Sequence, residues 1–431
     1  MMVELKDIIK KGTIVLFINV IAAFMVYLTR ILIARSMSVY EVGLFYGVYN
    51  FIVFFTFLRS WGLDAGLSKY IAEFKAKGEN DKIKTVIASA AISQIVFSLV
   101  IIIVMILFSN FLVKNYFHDE NTKILLIVLC WVLLSNAASN VFKGIFRGFK
   151  HMLNFALVEL IDAVYIFVIL VIFTVSLKSL MFAYVSTGII IFIFGIVNLK
   201  KIWEYRKHKI VDYWHHTKLL FKLGIPLMLA GFGGMIISYI DTLMIVYFRP
   251  MEEVGIYNMI LPFAVVFLYF AKAGFSAIIP SVSETHAMNH HYKIKDFIKK
   301  VYKLLPLILI PLLIFMWKAD FFLKLFFGEA YLPGTLPLRI LLVGVFFYMI
   351  TIFNSEILVG IGNTLPITFI VLTGAVANVI INFLLIPKYG MIGAAIATSA
   401  SYILTCIISL FVIKKEINHE KYIKKIEQSV G

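Results

Sequence analysis

The stretch TIVLFINVIAAFMVYLTRILIARS, residues 13–36, is apolar over most of its length and holds two charged side chains, Arg30 and Arg35. As a helix it would rise about 36 Å, enough to cross the roughly 30 Å hydrocarbon core of a bilayer. Across the 431-residue chain, 61% of residues are hydrophobic and 15% are charged. Soluble domains are about 25% charged, and no soluble core could bury so much apolar surface. The composition therefore predicts an integral membrane protein.

Eleven further apolar runs are long enough to cross a bilayer. They lie at 41–63, 84–109, 122–142, 152–175, 179–199, 222–248, 253–280, 297–318, 336–360, 364–386 and 391–413. The first run, 13–36, has no small-residue cleavage site after it, so we predict a retained span rather than a signal peptide. The predicted fold class is all-α integral membrane, with about 12 transmembrane helices.

Lysine and arginine positions test this topology, because cytoplasmic loops hold an excess of both residues. Of the 40 lysines and arginines, 29 fall on the side that carries both termini, 9 fall on the other side and 2 lie within spans. Both termini are therefore predicted to be cytoplasmic, with the protein in the cell membrane. This topology accounts for the formal charge of +16, so no nucleic-acid partner is predicted.

An internal repeat becomes visible when the chain is compared with itself at an offset of about 212 residues. The matched positions are Gly12 with Gly224, Tyr27 with Tyr239, and Glu41-Val42-Gly43 with Glu253-Val254-Gly255. Six helices per copy return the chain to the same side, so the two copies are predicted to be parallel bundles around a central cavity. The predicted domains are an N-terminal lobe at 1–199, a cytoplasmic linker at 200–218, a C-terminal lobe at 219–413 and a basic cytoplasmic tail at 414–431.

Three basic residues lie in or beside the predicted spans, where a charge costs at least about 2.5–3.5 kcal/mol at the bilayer centre. Arg30 continues a face formed by Asn19, Ala23 and Tyr27, and it either lines the cavity or snorkels to the outer interface. Lys272 has the apolar context LYFAKAGFSA, which favours the cavity. Arg59, at the cytoplasmic end of helix 2, is either a cavity residue or an interfacial anchor.

Acidic residues are candidates for gating or ion coupling. Asp241 follows a face of small residues on helix 7, and under the repeat it aligns beside Arg30. The two residues either pair with each other when the outer mouth closes or each pair within their own bundle. Asp64 shares the segment FLRSWGLDAGL with Arg59, and like Arg59 it is either a cavity residue or an interfacial anchor. Two interpretations remain open for Glu159, Asp162 and Glu356: contact with the polar faces of neighbouring helices, or coupling of transport to a cation. The same two interpretations apply to Asn378 and Asn382.

Enzymatic motifs are nearly absent from the sequence. It contains no phosphate-binding glycine loop, no HExxH zinc motif and no plausible nucleophile elbow, so no enzyme, metal site or cofactor is predicted. Cys130 and Cys406 lie in apolar runs and are predicted to be small packing residues. Active transport would then need an ion gradient, a substrate gradient or another protein.

The stretch LTRILIARSMSVYEVGLFYGVYNFIVFFTFLRSWGLDAGLSKYIAEF, residues 28–74, resembles the opening of the polysaccharide and O-antigen lipid-linked oligosaccharide flippases. These belong to the multidrug, oligosaccharidyl-lipid and polysaccharide exporter superfamily. The matching elements are Arg35, Glu41-Val42-Gly43-Leu44, Gly62-Leu63 and Ser68-Lys69-Tyr70. FFGEAYLPGTLPLRIL (326–341) and LLIPKYGMIGAAIATSAS (384–401) are similar to the family's segments around helices 10 and 12.

This resemblance implies a two-lobed, V-shaped transporter that alternates between inward-open and outward-open forms. It implies a polyprenyl-phosphate or polyprenyl-diphosphate linked oligosaccharide as cargo, carried outward among membrane lipids, and H⁺ or Na⁺ as a possible coupling cation. Arg30, Lys272 and Arg59 would suit the anionic phosphate.

Two other functions remain open from the sequence. A drug or organic-cation antiporter of the same superfamily would favour a carboxylate-dominated cavity, whereas a net positive cavity favours a lipid-phosphate cargo. A membrane glycosyltransferase or polymerase would usually need a sizeable outer domain, but the longest predicted outer connection has about 17 residues.

Overall fold

The computed structural model describes the backbone of residues 2–276, 278–288 and 290–430. It gives side chains for 12–204, 206–229, 231–276, 278–288, 290, 292–307 and 309–416. All regular structure in the described ranges is helical, and 12 helices or helix pairs are long and apolar enough to cross a membrane. The predicted all-α membrane fold is therefore confirmed.

The chain divides into two compact units, residues 1–232 and 233–431. The first holds α1 (Met2–Ser36), α2 (Val39–Phe54), α3 (Thr56–Ser60), α4 (Leu63–Ala76), α5 (Asn80–Leu107), α6 (Ser109–Leu112), α7 (Thr122–Leu129), α8 (Val132–Gly148), α9 (Met152–Ile172), α10 (Leu177–Ile202) and the first part of α11 (Tyr213–Phe248). The second holds the rest of α11, then α12 (Met251–Ser276), α13 (Ile279–Ala287), α14 (His291–Trp317), α15 (Ala319–Phe326), α16 (Thr335–Gly360), α17 (Leu365–Tyr389) and α18 (Met391–Val430). The units divide within α11, and the predicted four-part domain scheme stays a prediction.

Local sequence explains where α2 begins. Ser38 caps α2 by accepting a hydrogen bond from the Glu41 backbone N–H over 3.2 Å, while the Glu41 carboxylate accepts from the Ser38 N–H over 3.0 Å. This reciprocal pair satisfies two N–H groups that would otherwise lack partners at the helix start.

The cysteines Cys130 and Cys406 are free and buried, as predicted.

The second span, Val39–Ser60, ends within three residues of the predicted end at residue 63, and a sharp turn follows it. Trp61 and Gly62 both have positive φ, 45° and 68°, and they separate α3 from α4. A Cβ on Gly62 would lie 2.3 Å from the Gly224 carbonyl oxygen of α11, so the two backbones touch at this point. Only glycine allows both the left-handed conformation without strain and this approach.

The connecting segment, residues 200–218, is fastened to α5 of the first unit. The Lys209 backbone N–H donates to Asp81 Oδ1 over 3.0 Å, and the Val211 N–H donates to Thr85 Oγ1 over 2.9 Å. Two side chains of α5 thus bind the segment's backbone directly. The segment is an ordered part of the first unit, and its cytoplasmic location stays a prediction.

Candidate functional site

Arg30 lies within the first candidate span, six residues before Ser36, which is about 9 Å along the helix axis. Its guanidinium carbon is 4.8 Å from the centroid of the Tyr46 ring of α2, a cation–π distance. The residue is half-buried, so part of it is accessible. A cation is thus placed inside a membrane span against an aromatic face.

Further tyrosines surround this position. Tyr27, Tyr49 and Tyr184 lie close enough to interact electrostatically with the guanidinium. The Tyr49 and Tyr184 rings meet edge to face with centroids 5.0 Å apart, which joins α2 to α10. We call Arg30 with these tyrosines and Tyr46 the Arg30 site.

Asp241 is the most densely bonded of the predicted residues. It is 1% exposed, and it accepts hydrogen bonds from the Tyr257 hydroxyl over 2.5 Å and from Asn382 Nδ2 over 2.6 Å. Asn378 Nδ2 donates to Oδ1 over 3.3 Å, and the Thr398 hydroxyl donates to Oδ2. These five residues, from α11, α12, α17 and α18, form what we call the Asp241 site.

The Asp241 site offers a carboxylate among uncharged oxygen and nitrogen groups. All four donors that bind the carboxylate are neutral. The Asn382 side-chain oxygen is buried and has no hydrogen-bond partner within the described residues. Carboxylate, amide and hydroxyl oxygens together are the ligands that a hard cation prefers, and the carboxylate alone could take a proton. The residues of the Asp241 site therefore fit either H⁺ or Na⁺, the two predicted coupling cations.

Two acidic residues of α9 bind different neighbours. Glu159 lies 3.1 Å from Lys143 Nζ of α8, and both side chains are partly exposed. Asp162, one turn later and half-buried, accepts a hydrogen bond from the Thr187 hydroxyl of α10 over 2.8 Å. Each carboxylate joins α9 to a neighbouring helix, and a role in ion coupling stays a prediction for both.

Arg59 is completely buried inside the first unit. Its Nη1 donates to Gln94 Oε1 of α5 over 2.5 Å, and the Asp64 carboxylate interacts with its charge. Asp64 in turn accepts a hydrogen bond from the Ser60 hydroxyl over 3.1 Å. The structure brings Arg59 and Asp64 together across the break between α3 and α4, so both residues support that break.

Lys272 and Glu356 belong to the second unit. Lys272 is on the exposed surface of α12, and Glu356 is half-buried on α16. Within the described residues neither one is in an ion pair. A cavity role for Lys272, a coupling role for Glu356 and the pairing of Arg30 with Asp241 all stay predictions.

Several members of the two sites were not predicted from the sequence. Tyr46, Tyr184, Tyr257 and Thr398 are uncharged and look ordinary in apolar helices. The available signal was the four-residue spacing of the α17 asparagines, which placed both amides on one face without naming the partner.

Comparisons with known proteins agree with this fold. Residues 8–286, more than half of the chain, match the family model described as polysaccharide biosynthesis protein, and residues 226–384 match the MatE model. An uncharacterized membrane protein of Methanocaldococcus jannaschii is 28% identical over 424 residues, which cover 94% of this chain and 83% of that protein. The probable low-salt glycan biosynthesis flippase Agl15 of Haloferax volcanii is 22% identical over 398 residues, covering 91% and 80%.

A solved structure of another protein has the same helical architecture. The lipid II flippase MurJ, in an inward closed conformation, superposes with a TM-score of 0.74 at 18% identity, covering 94% of this chain and 87% of that one. At this identity the likeness shows the fold, which confirms the predicted two-repeat arrangement of 12 helices. The match over residues 8–286 shows more: the chain belongs to the polysaccharide biosynthesis protein family, membrane transporters of the multidrug, oligosaccharidyl-lipid and polysaccharide exporter superfamily.

Proposed function

We propose that this transporter is a flippase that moves a polyprenyl-phosphate or polyprenyl-diphosphate linked oligosaccharide from the cytoplasmic to the outer leaflet of the cell membrane. The observation that carries the proposal is the Arg30 site, a half-buried arginine held by tyrosines inside a membrane span. Because a charge inside a membrane span is costly, its presence favours a function that needs a cation there.

A phosphate headgroup suits this arginine. A guanidinium presents a planar set of N–H donors that can bind two phosphate oxygens at once, and it stays charged at every physiological pH. The tyrosine faces stabilise the cation by a cation–π contact when no anion is bound. The positive charge of Arg30 is therefore stabilised both by the tyrosine rings before the phosphate binds and by the phosphate afterwards.

The names of related proteins support the same class of cargo. Agl15 is described as a glycan biosynthesis flippase, and MurJ as a flippase of lipid II. Both names describe lipid-linked molecules or glycan assembly, which agrees with a family described by polysaccharide biosynthesis.

We further propose that the Asp241 site couples transport to H⁺ or Na⁺. Asp241 joins α11, α12, α17 and α18 within the second unit, so a change in its charge alters contacts among four helices at once. A bound cation or proton would satisfy the buried Asn382 oxygen or neutralise the carboxylate. This coupling would favour one form of an alternating-access cycle. In this account Lys272 is a second candidate for the phosphate, and Arg59 supports the first unit.

The competing function is export of an organic cation or drug. The MatE match over residues 226–384 and the buried carboxylate of Asp241 favour it. The two functions differ in the sign of the cargo, so a transport assay with both cargoes separates them.

The experiment uses the full-length protein in liposomes with a fluorescent polyprenyl-diphosphate disaccharide, and a membrane-impermeant reductant reports which leaflet holds the dye. Parallel liposomes are loaded with ethidium. The proposal expects lipid movement without ethidium export, whereas ethidium export without lipid movement would favour the antiporter.

A further inference from the structure

A half-open cavity of about 380 Å³ lies in the second unit between α14 and α18, away from the Asp241 site. Seven residues line it: Lys295, Ile298, Lys299, Tyr302, Leu410, Ile413 and Lys414. Three are lysines and three are aliphatic. A cavity of this volume lies in the range of small-ligand sites, and its lining is both basic and apolar.

The lining residues follow one face of each helix. On α14 the lining residues 298, 299 and 302 follow Lys295 by three, four and seven positions, which places them on one helix face. On α18 the lining residues 413 and 414 follow Leu410 by three and four positions, with the same result. From Lys295 to Tyr302 the helix rises about 10 Å. The cavity is therefore a groove that runs along the helix axes.

The groove changes from basic to apolar along its length. Lys295 lies three residues after the start of the candidate span Tyr292–Trp317, and Lys414 lies two residues before the end of Met391–Glu416. The span start on α14 and the span end on α18 meet at the same end of the groove. The lysines thus lie at the depth of lipid headgroups, while Tyr302 and Leu410 lie deeper, beside acyl chains.

Among the described side chains, the three lysines of the groove make no direct ion pair, although Asp296 interacts with Lys299 electrostatically at longer range. The adjacent Lys300 pairs with Asp296 over 2.8 Å. Three ammonium groups around one opening attract an anion with several oxygen atoms.

The deep end of the groove is closed by a fixed polar network. The Tyr302 hydroxyl donates to Asn354 Oδ1 of α16 over 2.6 Å, and Asn354 Nδ2 donates to Ser409 Oγ of α18 over 2.9 Å. Asn354 and Ser409 are completely buried. Since these groups satisfy one another, the groove presents the Tyr302 ring and aliphatic side chains to an occupant.

We propose that this groove binds one anionic phospholipid, with the phosphate among Lys295, Lys299 and Lys414 and the start of an acyl chain against Ile298 and Leu410. The order of basic and apolar residues matches the order of headgroup and chain in a bilayer lipid. The remaining lipid volume stays in the bilayer. This site is independent of the cargo and of the Asp241 site.

The test measures lipid retention by native mass spectrometry of the full-length protein in detergent with equal amounts of dioleoyl phosphatidylglycerol and dioleoyl phosphatidylcholine. The test variant is Lys295→Gln/Lys299→Gln/Lys414→Gln. The matched control, Lys293→Gln/Lys303→Gln/Lys415→Gln, removes the same charge from the same helices outside the groove. Leu410→Trp fills the groove and keeps all three lysines. Inorganic phosphate serves as the competitor without a chain.

The proposal expects phosphatidylglycerol to be preferred by the wild type and by the control variant. It expects the groove triple variant and Leu410→Trp each to weaken phosphatidylglycerol binding by about ten-fold or more. Inorganic phosphate should not displace the lipid. Equal weakening in the groove and control variants, full binding by Leu410→Trp, or displacement by inorganic phosphate would each overturn the proposal.

Discussion

Asn382 of α17 donates from its side-chain nitrogen to Asp241 of α11 over 2.6 Å, and its side-chain oxygen is left buried beside that contact. The pair thus combines a satisfied donor with an acceptor that has no partner among the described residues. A buried carboxylate next to such an oxygen is well suited to bind and release a small cation. This relationship is the basis for assigning ion coupling to the second unit.

Asp241→Asn should abolish ion coupling while leaving the fold intact. The amide keeps the size of the side chain but cannot exchange a proton or supply a negative charge. We expect the rate of lipid movement to fall by about ten-fold or more, and the remaining rate to lose its dependence on Na⁺ and on pH. The measurement is the transport rate across a Na⁺ series at fixed pH and a pH series at fixed Na⁺.

Glu252→Gln is the matched control for this change, since it neutralises an exposed acid of α12 within the second unit, and Glu356→Gln tests the other coupling candidate of this unit. Both variants should keep the cation dependence of the wild type. If Asp241→Asn retained that dependence and Glu356→Gln lost it, the assignment of coupling to the Asp241 site would be wrong.

The membrane spans could be predicted because each depends on a local property, an apolar run of sufficient length. An apolar run could not predict the Asp241 site. Asp241 and Thr398 are far apart in the sequence, and their contact depends on which faces of the packed helices meet. The contact between Gly62 and Gly224 could not be predicted for a similar reason, because it joins two segments that are far apart in the sequence.

Gly62→Ala should destabilise the first unit. The alanine would be held in the left-handed backbone conformation, which costs roughly 1–2 kcal/mol. Its Cβ would also collide with the Gly224 carbonyl oxygen. Gly78→Ala is the control, because Gly78 also has positive φ but no atom within 4 Å of its Cβ position. We expect the thermal unfolding midpoint of Gly62→Ala to lie more than about 5 °C below that of Gly78→Ala. Equal midpoints would show that the backbone contact is unimportant.

The Arg59–Gln94 pair should have a structural role. Arg59→Met alone leaves the Gln94 amide buried without its partner, which is costly, whereas Arg59→Met/Gln94→Leu removes both polar groups together. We expect the single variant to be less stable than the wild type by about 1–3 kcal/mol and the double variant to recover part of that loss. Thermal unfolding and lipid movement are measured together. A stable double variant that no longer moves lipid would instead place Arg59 in the cargo site.

The attachment of the connecting segment depends on two side chains of α5. Asp81→Asn/Thr85→Val removes the carboxylate bound by the Lys209 N–H and the hydroxyl oxygen bound by the Val211 N–H. We expect faster hydrogen–deuterium exchange in residues 208–212, by about ten-fold, as two backbone hydrogen bonds weaken. Lys82→Gln, which removes an ion pair with Glu79 and a cation–π contact with Phe74 but no bond to the segment, should leave exchange there unchanged. Unchanged exchange in the double variant would show that other contacts hold the segment.

A role of Arg30 in moving a lipid-linked phosphate is tested by the initial rate at which the reconstituted protein moves a fluorescent polyprenyl-diphosphate disaccharide, compared among wild type, Arg30→Gln and Arg35→Gln. Arg35 is exposed in the last turn of the same helix and provides the same change of charge outside the Arg30 site. We expect lipid movement by the wild type and by Arg35→Gln, and a rate lower by about ten-fold or more for Arg30→Gln. No lipid movement by the wild type, or equal rates for the two variants, would contradict that role.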